Sequence, residues 1–173
     1  DGSGLDLENL SYLWIAGLQI LNFDEAGIVA ASCESGIIYN CVLGTDSETV
    51  PDARMNYGIF LHQVSDFQIG SGVRVGSVFV GAMNFGIFIS NSTDIEVWDN
   101  YFGTALLPGD YFDAANISVA IQAQNGSDNM DIRRNYFTNE GDIAIQMLSV
   151  GSSEIVRNFI NTDSTWSAKF GAY

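Results

Sequence analysis

Apolar and polar residues alternate in short runs along this chain, and the runs come in pairs. Such pairs begin at Ala26 (AGIVAASCESGIIYN), Tyr57 (YGIFLHQVSDFQIGSG), Phe85 (FGIFISNSTDIEVWDN), Val119 (VAIQAQNGSDNMDIRRN) and Ile143 (IAIQMLSVGSSEIVRN). A period of two marks a strand with one buried face, so each copy predicts two strands joined by a polar turn near a serine. A helical reading fails because glycine is frequent and β-branched and aromatic residues dominate. A sandwich needs no likeness between successive units. Repetition at this length predicts stacked β-coils.

Ile28, Ile59, Ile87, Ile121 and Ile145 anchor the first strands; Asn40, Gly72, Asn100, Asn135 and Asn158 close the second ones. Within copies these anchors lie 12, 13, 13, 14 and 13 residues apart, whereas the first anchor advances by 31, 28, 34 and 24 between copies. One part of each coil is thus held to length and the other absorbs insertions. Alternation turns the isoleucines inward, together with Ala30, Leu61, Ile89, Ala123 and Met147. Ile37, Ile69, Val97, Ile132 and Ile155 form a second inward column, with Val42, Phe102 and Phe137 filling the corner. A buried asparagine needs partners for its amide, and equivalent asparagines one coil apart supply them. Asn40, Asn100, Asn135 and Asn158 are therefore read as an asparagine ladder that Gly72 interrupts. Glu25, Asn56, Asn84 and Asp142 make a second polar column before the first strands.

The fold expected is one all-β domain over residues 1–173, a parallel β-helix (β-solenoid) of about six coils with variable loops. Residues 1–25 form an irregular first coil through Leu13-Trp14-Ile15 and Leu18-Gln19-Ile20, residues 26–160 the repeat coils, and residues 161–173 a C-terminal tail. The start at Asp1, without methionine or a signal-like segment, reads as a processed or excised piece of a longer protein.

Charge narrows the partners. Six Lys+Arg against 21 Asp+Glu give a net charge of −15, which disfavours nucleic acid and anionic membranes. No apolar run is long enough for a membrane span. Cys33 and Cys41 match no metal motif; a disulfide and a pair of buried thiols are both open. Sequons at Asn9, Asn91, Asn116 and Asn125 are glycosylation candidates and tilt the reading towards a secreted protein.

The recurring Gly-Ile-x-(Ile/Leu), then Ser, then Ile-x-x-Asn-x-Phe resembles the right-handed parallel β-helix repeats of the pectate-lyase-like superfamily. More narrowly, Asn40-Cys-Val-Leu-Gly-Thr-Asp46, Asn56-Tyr-Gly-Ile59, Phe67-Gln-Ile-Gly70 and Asn100-Tyr-Phe-Gly-Thr104 are similar to tandem β-helix repeats of large secreted and cell-surface proteins. The resemblance covers roughly residues 26 to 160 and implies a right-handed coil. It implies little about activity, because the superfamily holds lyases, hydrolases, epimerases, adhesins and structural proteins. The arginine motifs of the lyases and the aspartate-pair and Gly-His-Gly motifs of the polygalacturonases are absent. No catalytic residue is assigned, and His62 reads as a surface histidine.

Two surfaces carry candidate chemistry. Aligned second strands place Gln68, Glu96, Asp131 and Glu154 in one outward column, followed by Trp98, Arg133 and Val156, then Asp99, Arg134 and Arg157. Glu96, Asp131 and Glu154 are calcium candidates, since neighbouring carboxylates repel without a cation or a shared proton. A glycosidase-like acid pair and a solvated face neutralised by arginines are the competing readings. Val29, Phe60 and Phe88, with Trp98, are the candidate contact surface, open to a covering loop, a subunit or a sugar. The loop from Ala105 to Ala115 is the expected ligand or contact loop. Together these features predict a non-enzymatic extracellular structural or adhesive module, possessing like subunits or other extracellular proteins as partners. A carbohydrate-active enzyme fragment or glycan-binding module, with polysaccharide as ligand, is the alternative.

Overall fold

The computed structural model describes residues 2–44, 55–71, 76–80, 83–103, 117–138 and 143–161. In chain order the strands are β1 (Leu5–Glu8), β2 (Ser11–Ala16), β3 (Gln19–Leu21), β4 (Ala26–Ala31), β5 (Glu34–Tyr39), β6 (Val42–Gly44), β7 (Met55–His62), β8 (Ser65–Gly70) and β9 (Val78–Val80). They continue with β10 (Met83–Ser90), β11 (Thr93–Trp98), β12 (Tyr101–Gly103), β13 (Ile117–Gln124), β14 (Asp128–Arg133), β15 (Tyr136–Thr138), β16 (Ile143–Leu148), β17 (Ser153–Val156) and β18 (Phe159–Asn161). There is no helix among the described residues. Every pairing is parallel, and the strands sort into three six-stranded sheets: β1-β4-β7-β10-β13-β16, β2-β5-β8-β11-β14-β17 and β3-β6-β9-β12-β15-β18. The chain therefore visits the first, second and third sheets in the same order, circuit after circuit. The chain from the third sheet back to the first varies most in length, from Val80–Met83 to Gly103–Ile117.

Register in the first sheet follows the expected columns. Ile28, Ile59, Ile87, Ile121 and Ile145 are mutual partners, as are Ala30, Leu61, Ile89, Ala123 and Met147. All are buried except Ile145 and Met147, which lie on the last strand and are half-buried. In the third sheet Phe79, Phe102 and Phe137 stack inward, with ring centroids 4.6 and 5.0 Å apart. Glycine in the first sheet makes room for them: a Cβ on Gly86 would lie 2.6 Å from the Ala120 carbonyl oxygen and 2.8 Å from the Phe102 ring. That contact accounts for the Gly that precedes the isoleucine in the repeat.

The second and third sheets correct the first copy by one residue. Ile38, not Ile37, pairs with Ile69 and is fully buried; Ile37 faces outward beside Gln68. Leu43, not Val42, pairs with Phe79 and fills the corner. Asn40 likewise leaves the ladder. It is exposed at φ 52°, level with Asp99, Arg134 and Arg157 at φ 57°, 55° and 55°. Its neighbour Cys41 takes the buried place.

The ladder runs Cys41, Ser77, Asn100, Asn135, Asn158. The Cys41 N–H donates to Ser77 Oγ at 3.3 Å, and the Ser77 N–H to Asn100 Oδ1 at 3.0 Å. The Asn100 N–H donates to Asn135 Oδ1 at 3.0 Å, and the Asn135 N–H to Asn158 Oδ1 at 2.9 Å. The side-chain amides donate in turn to strand-end carbonyls: Asn100 to Ile69, Asn135 to Val97, and Asn158 to Ile132. Gly72 and Asp142 lie outside the described residues; Ser77 supplies the third circuit's rung. In the second polar column, Asn84 donates to Asn56 at 2.7 Å on the surface.

Asn135→Ala leaves the Asn100 N–H and two carbonyls short of partners in a buried corner, each loss costing on the order of 1–3 kcal/mol. We expect a destabilisation of about 3 kcal/mol in urea unfolding. Asn40→Gly, at a left-handed exposed position, should stay within about 1 kcal/mol of wild type. Equal losses in both variants would place Asn40 back in the ladder.

Candidate functional site

The outer face of the second sheet is built from two neighbouring columns. One runs Tyr12, Ser35, Asp66, Asp94, Asn129, all in the left-handed region with φ between 52° and 62°. This conformation costs an ordinary L-residue about 1–2 kcal/mol, and Asn and Asp tolerate it best. The other column runs Trp14, Ile37, Gln68, Glu96, Asp131, Glu154 by direct strand register. Between them lies a groove of about 660 Å³. Both columns change character along the stack, from an aromatic residue to carboxylates. Trp14 and Tyr12 are 69 % and 86 % exposed.

Polar contacts differ along the groove. Ser35 Oγ donates to Asp66 at 2.8 Å, and Asn129 donates its amide to Asp94. Arg133 holds Asp131 through both guanidinium edges, with Nε at 2.6 Å, and reaches Glu154 at 3.6 Å. Arg134 forms a two-bond pair with Asp99 at 2.8 and 2.9 Å. Both guanidinium groups lie over the Trp98 ring, at 4.9 and 5.8 Å from its centroid. Glu96 is pushed up from the ordinary carboxylate range by burial and then by Asp131 across the strand pair, against a smaller lowering by Arg133.

The calcium candidates are thus in one column but do not converge. Among the described residues no group of three His, Cys, Asp or Glu side chains is placed to hold a metal ion. Arg133 already supplies the positive charge at Asp131 and Glu154. The same ion pair keeps Asp131 from serving as the free partner of Glu96 that a glycosidase pair needs.

The contact surface divides in two. Val29, Phe60 and Phe88 are in register on the first sheet, joined by Tyr57 and Phe85, with ring centroids 5.0 to 5.5 Å apart. Phe88 is already buried, so this cluster mainly packs on itself. Trp98 belongs to the second sheet, between two arginines. His62 is half-buried with its ring 6.1 Å from Phe60, and no described carboxylate forms an ion pair with it. The loop from Ala105 to Ala115 lies outside the described residues.

Cys33 and Cys41 are free, buried thiols at opposite ends of β5, a strand of six residues spanning about 20 Å. That separation excludes the intra-coil disulfide. Burial raises the Cys41 thiol above its usual range. Asn9, Asn91 and Asn125 are exposed at φ 55°, 50° and 57° in turns between the first and second sheets. Their sequons coincide with a corner that favours Asn, so the corner accounts for the asparagines. Asn116 lies outside the described residues.

Sequence reading missed Tyr12, Asp66 and Asp94. Their signal is the polar pair opening each second strand, Ser65-Asp66, Thr93-Asp94 and Asp128-Asn129, which marks one recurring left-handed position. No family model matches this chain, and neither a curated protein nor a solved structure is found similar to it.

Two outcomes are expected. Both thiols should resist an aromatic disulfide reagent in the folded protein and react in denaturant without prior reduction; a requirement for reductant would restore the bridge. Glu96 binds a proton more readily folded than unfolded, so its ionisation lowers stability as pH rises through the folded value. Glu96→Gln should therefore melt higher than wild type at neutral pH, the gap closing in acid, below the unfolded carboxylate range. A gap that widens in acid would reverse the sign assigned to Glu96.

Proposed function

We propose that this chain forms a right-handed parallel β-helix and serves as a non-enzymatic structural or adhesive module outside the cell or on its surface. Three parallel sheets visited in strict rotation support the coil, and parallel crossovers are right-handed in nearly all proteins. The observation that carries the role is the distribution of exposed apolar side chains. Leu10, Tyr12, Trp14, Leu18 and Phe23 lie in the first circuit, and Leu148, Ile155 and Phe159 in the last. The circuits between them contribute none of the large exposed apolar residues identified among the described ones. The outermost strands of all three sheets, each paired on one side only among the described residues, lie at these same two places. Exposed apolar side chains on both outermost circuits suit stacking against like subunits or other extracellular proteins. The net charge of −15 suits solubility along its sides.

One observation favours a second reading, a glycan-binding module or carbohydrate-active fragment: Tyr12 and Trp14 stand exposed at one end of the groove that holds Glu96. Sedimentation velocity across a concentration series, with electron microscopy, separates the readings. We expect elongated end-on association that Ile155→Asp with Phe159→Asp weakens. Depolymerisation of an acidic polysaccharide, lost in Glu96→Gln, would replace the structural reading with an enzymatic one.

A further inference from the structure

The groove of the second sheet has a chemistry that the chain itself satisfies only next door. Around Trp98, two guanidinium groups lie over an indole ring and reach in-register or adjacent carboxylates: Arg133 to Asp131, and Arg134 to Asp99. This is the combination a planar, weakly hydrated cation favours, a π-face on one side and a carboxylate fork at its edge. Along the groove aromatic rings and carboxylates are again present without the cation, spread over successive strands from Trp14 to Glu96. Trp14 and Tyr12 present their rings to solvent at one end, and Asp66, Asp94 and Glu96 present carboxylates further along. The residues lining the groove include no lysine or arginine. Among the described residues no ion pair is formed by Asp66, Asp94 or Glu96.

We propose that this groove docks an extended, arginine-bearing peptide segment of a partner protein, lying along the stacking direction of the strands. Successive rungs are about 4.8 Å apart, so carboxylates in two columns face a ligand that passes several circuits. Guanidinium groups of the segment pair with Asp66, Asp94 and Glu96, and its remaining bulk packs on Trp14 and Tyr12. Asp66 and Asp94 are exposed and Glu96 is half-buried, so the ion pairs form in solvent and weaken as salt is raised. The inference supplies a partner chemistry for the adhesive part of the proposed role and rests on that reading only for its biological setting. Tyr12 and Trp14 belong to both the groove and the apolar first circuit, so peptide binding is read at protein concentrations below those at which end-on association is seen, and failure of one leaves the other measurable.

The test is titration of the full chain with a fluorescent synthetic peptide alternating arginine and glycine, followed by anisotropy and calorimetry. Saturable binding is expected. Asp66→Asn, Asp94→Asn and Glu96→Gln combined should weaken it by at least about tenfold, or about 1.4 kcal/mol. Asn keeps the left-handed conformations at both aspartate positions, so the fold is retained, and an unchanged circular dichroism spectrum verifies this. Trp14→Ala, an exposed substitution, should weaken binding independently. Removal of the same number of charges elsewhere, through Asp6→Asn, Glu8→Gln and Glu25→Gln, should leave affinity within about twofold at physiological salt. Equal losses in the two triple variants would show mere polyelectrolyte attraction and overturn the proposal. So would tighter binding of a glucosamine oligosaccharide than of the peptide, or no saturable binding of the peptide.

Discussion

The bond from one circuit to the next at the buried corner is the interaction on which this molecule depends. A parallel sheet leaves each strand end with donors and acceptors that the strand's own ladder does not serve. At the corner between the second and third sheets those groups are shut away from water, so they must be paired within the protein. Asn100 and Asn135 meet the demand from both sides. Each accepts a backbone N–H from the preceding rung and donates to a strand-end carbonyl. The same contacts fix register. A slip of one residue would bring a side chain of the wrong polarity to the corner and turn the whole inward column outward.

With register fixed, side chains of the same kind pile up in columns, and the columns set the chemistry of each face. Inward, this produces the isoleucine column of the first sheet and the phenylalanine stack of the third, the latter accommodated by glycine at Gly86. Outward, it brings carboxylates of successive circuits close enough to perturb one another. Asp131 and burial together raise Glu96, and Arg133 relieves Asp131. The proton affinity of Glu96 thus depends on burial and on what the adjacent strand places beside it.

Much of the fold was legible because inward positions are apolar in every copy and the isoleucine anchors coincide with observed partners. The first copy was misread by one residue from Ile37 to Val42, for a physical reason. Asparagine suits two adjacent places at this corner: the exposed left-handed position, where its side chain eases the backbone, and the buried rung, where its amide pairs. Residue type could not separate Asn40 from the rung. Spacing could: Ile28 to Asn40 is 12 residues, whereas Ile87 to Asn100 is 13, the step that reaches Cys41. A thiol in a polar column was the harder substitution to recognise. The candidate site was less legible. Glu96, Asp131 and Glu154 were placed in one column correctly, but whether a cation or Arg133 neutralises them depends on a guanidinium rotamer. Tyr12 and Trp14 belong to a segment whose likeness to the other copies is weak in sequence.

The left-handed corners link this architecture to its surface. Among the described residues sixteen non-glycine residues have positive φ, and nine are asparagine or aspartate. Those residues are selected first by backbone geometry, at positions that recur once per circuit. Because the positions are exposed, their polar side chains inevitably form outward stripes. Sequons arise at one stripe where Asn lies two residues before a Ser or Thr at or just before the start of the next strand, and the Asp66–Asp94 pair arises at another. Acidity concentrated along a groove is thus partly a by-product of turning the chain. What turning does not require is Trp14 in register with Ile37, Gln68 and Glu96, on an outward strand position. The indole donates its Nε1–H to the Tyr39 hydroxyl at 3.3 Å and meets that ring edge-on at 6.2 Å, yet it stays 69 % exposed, which leaves most of its face open to something set against it.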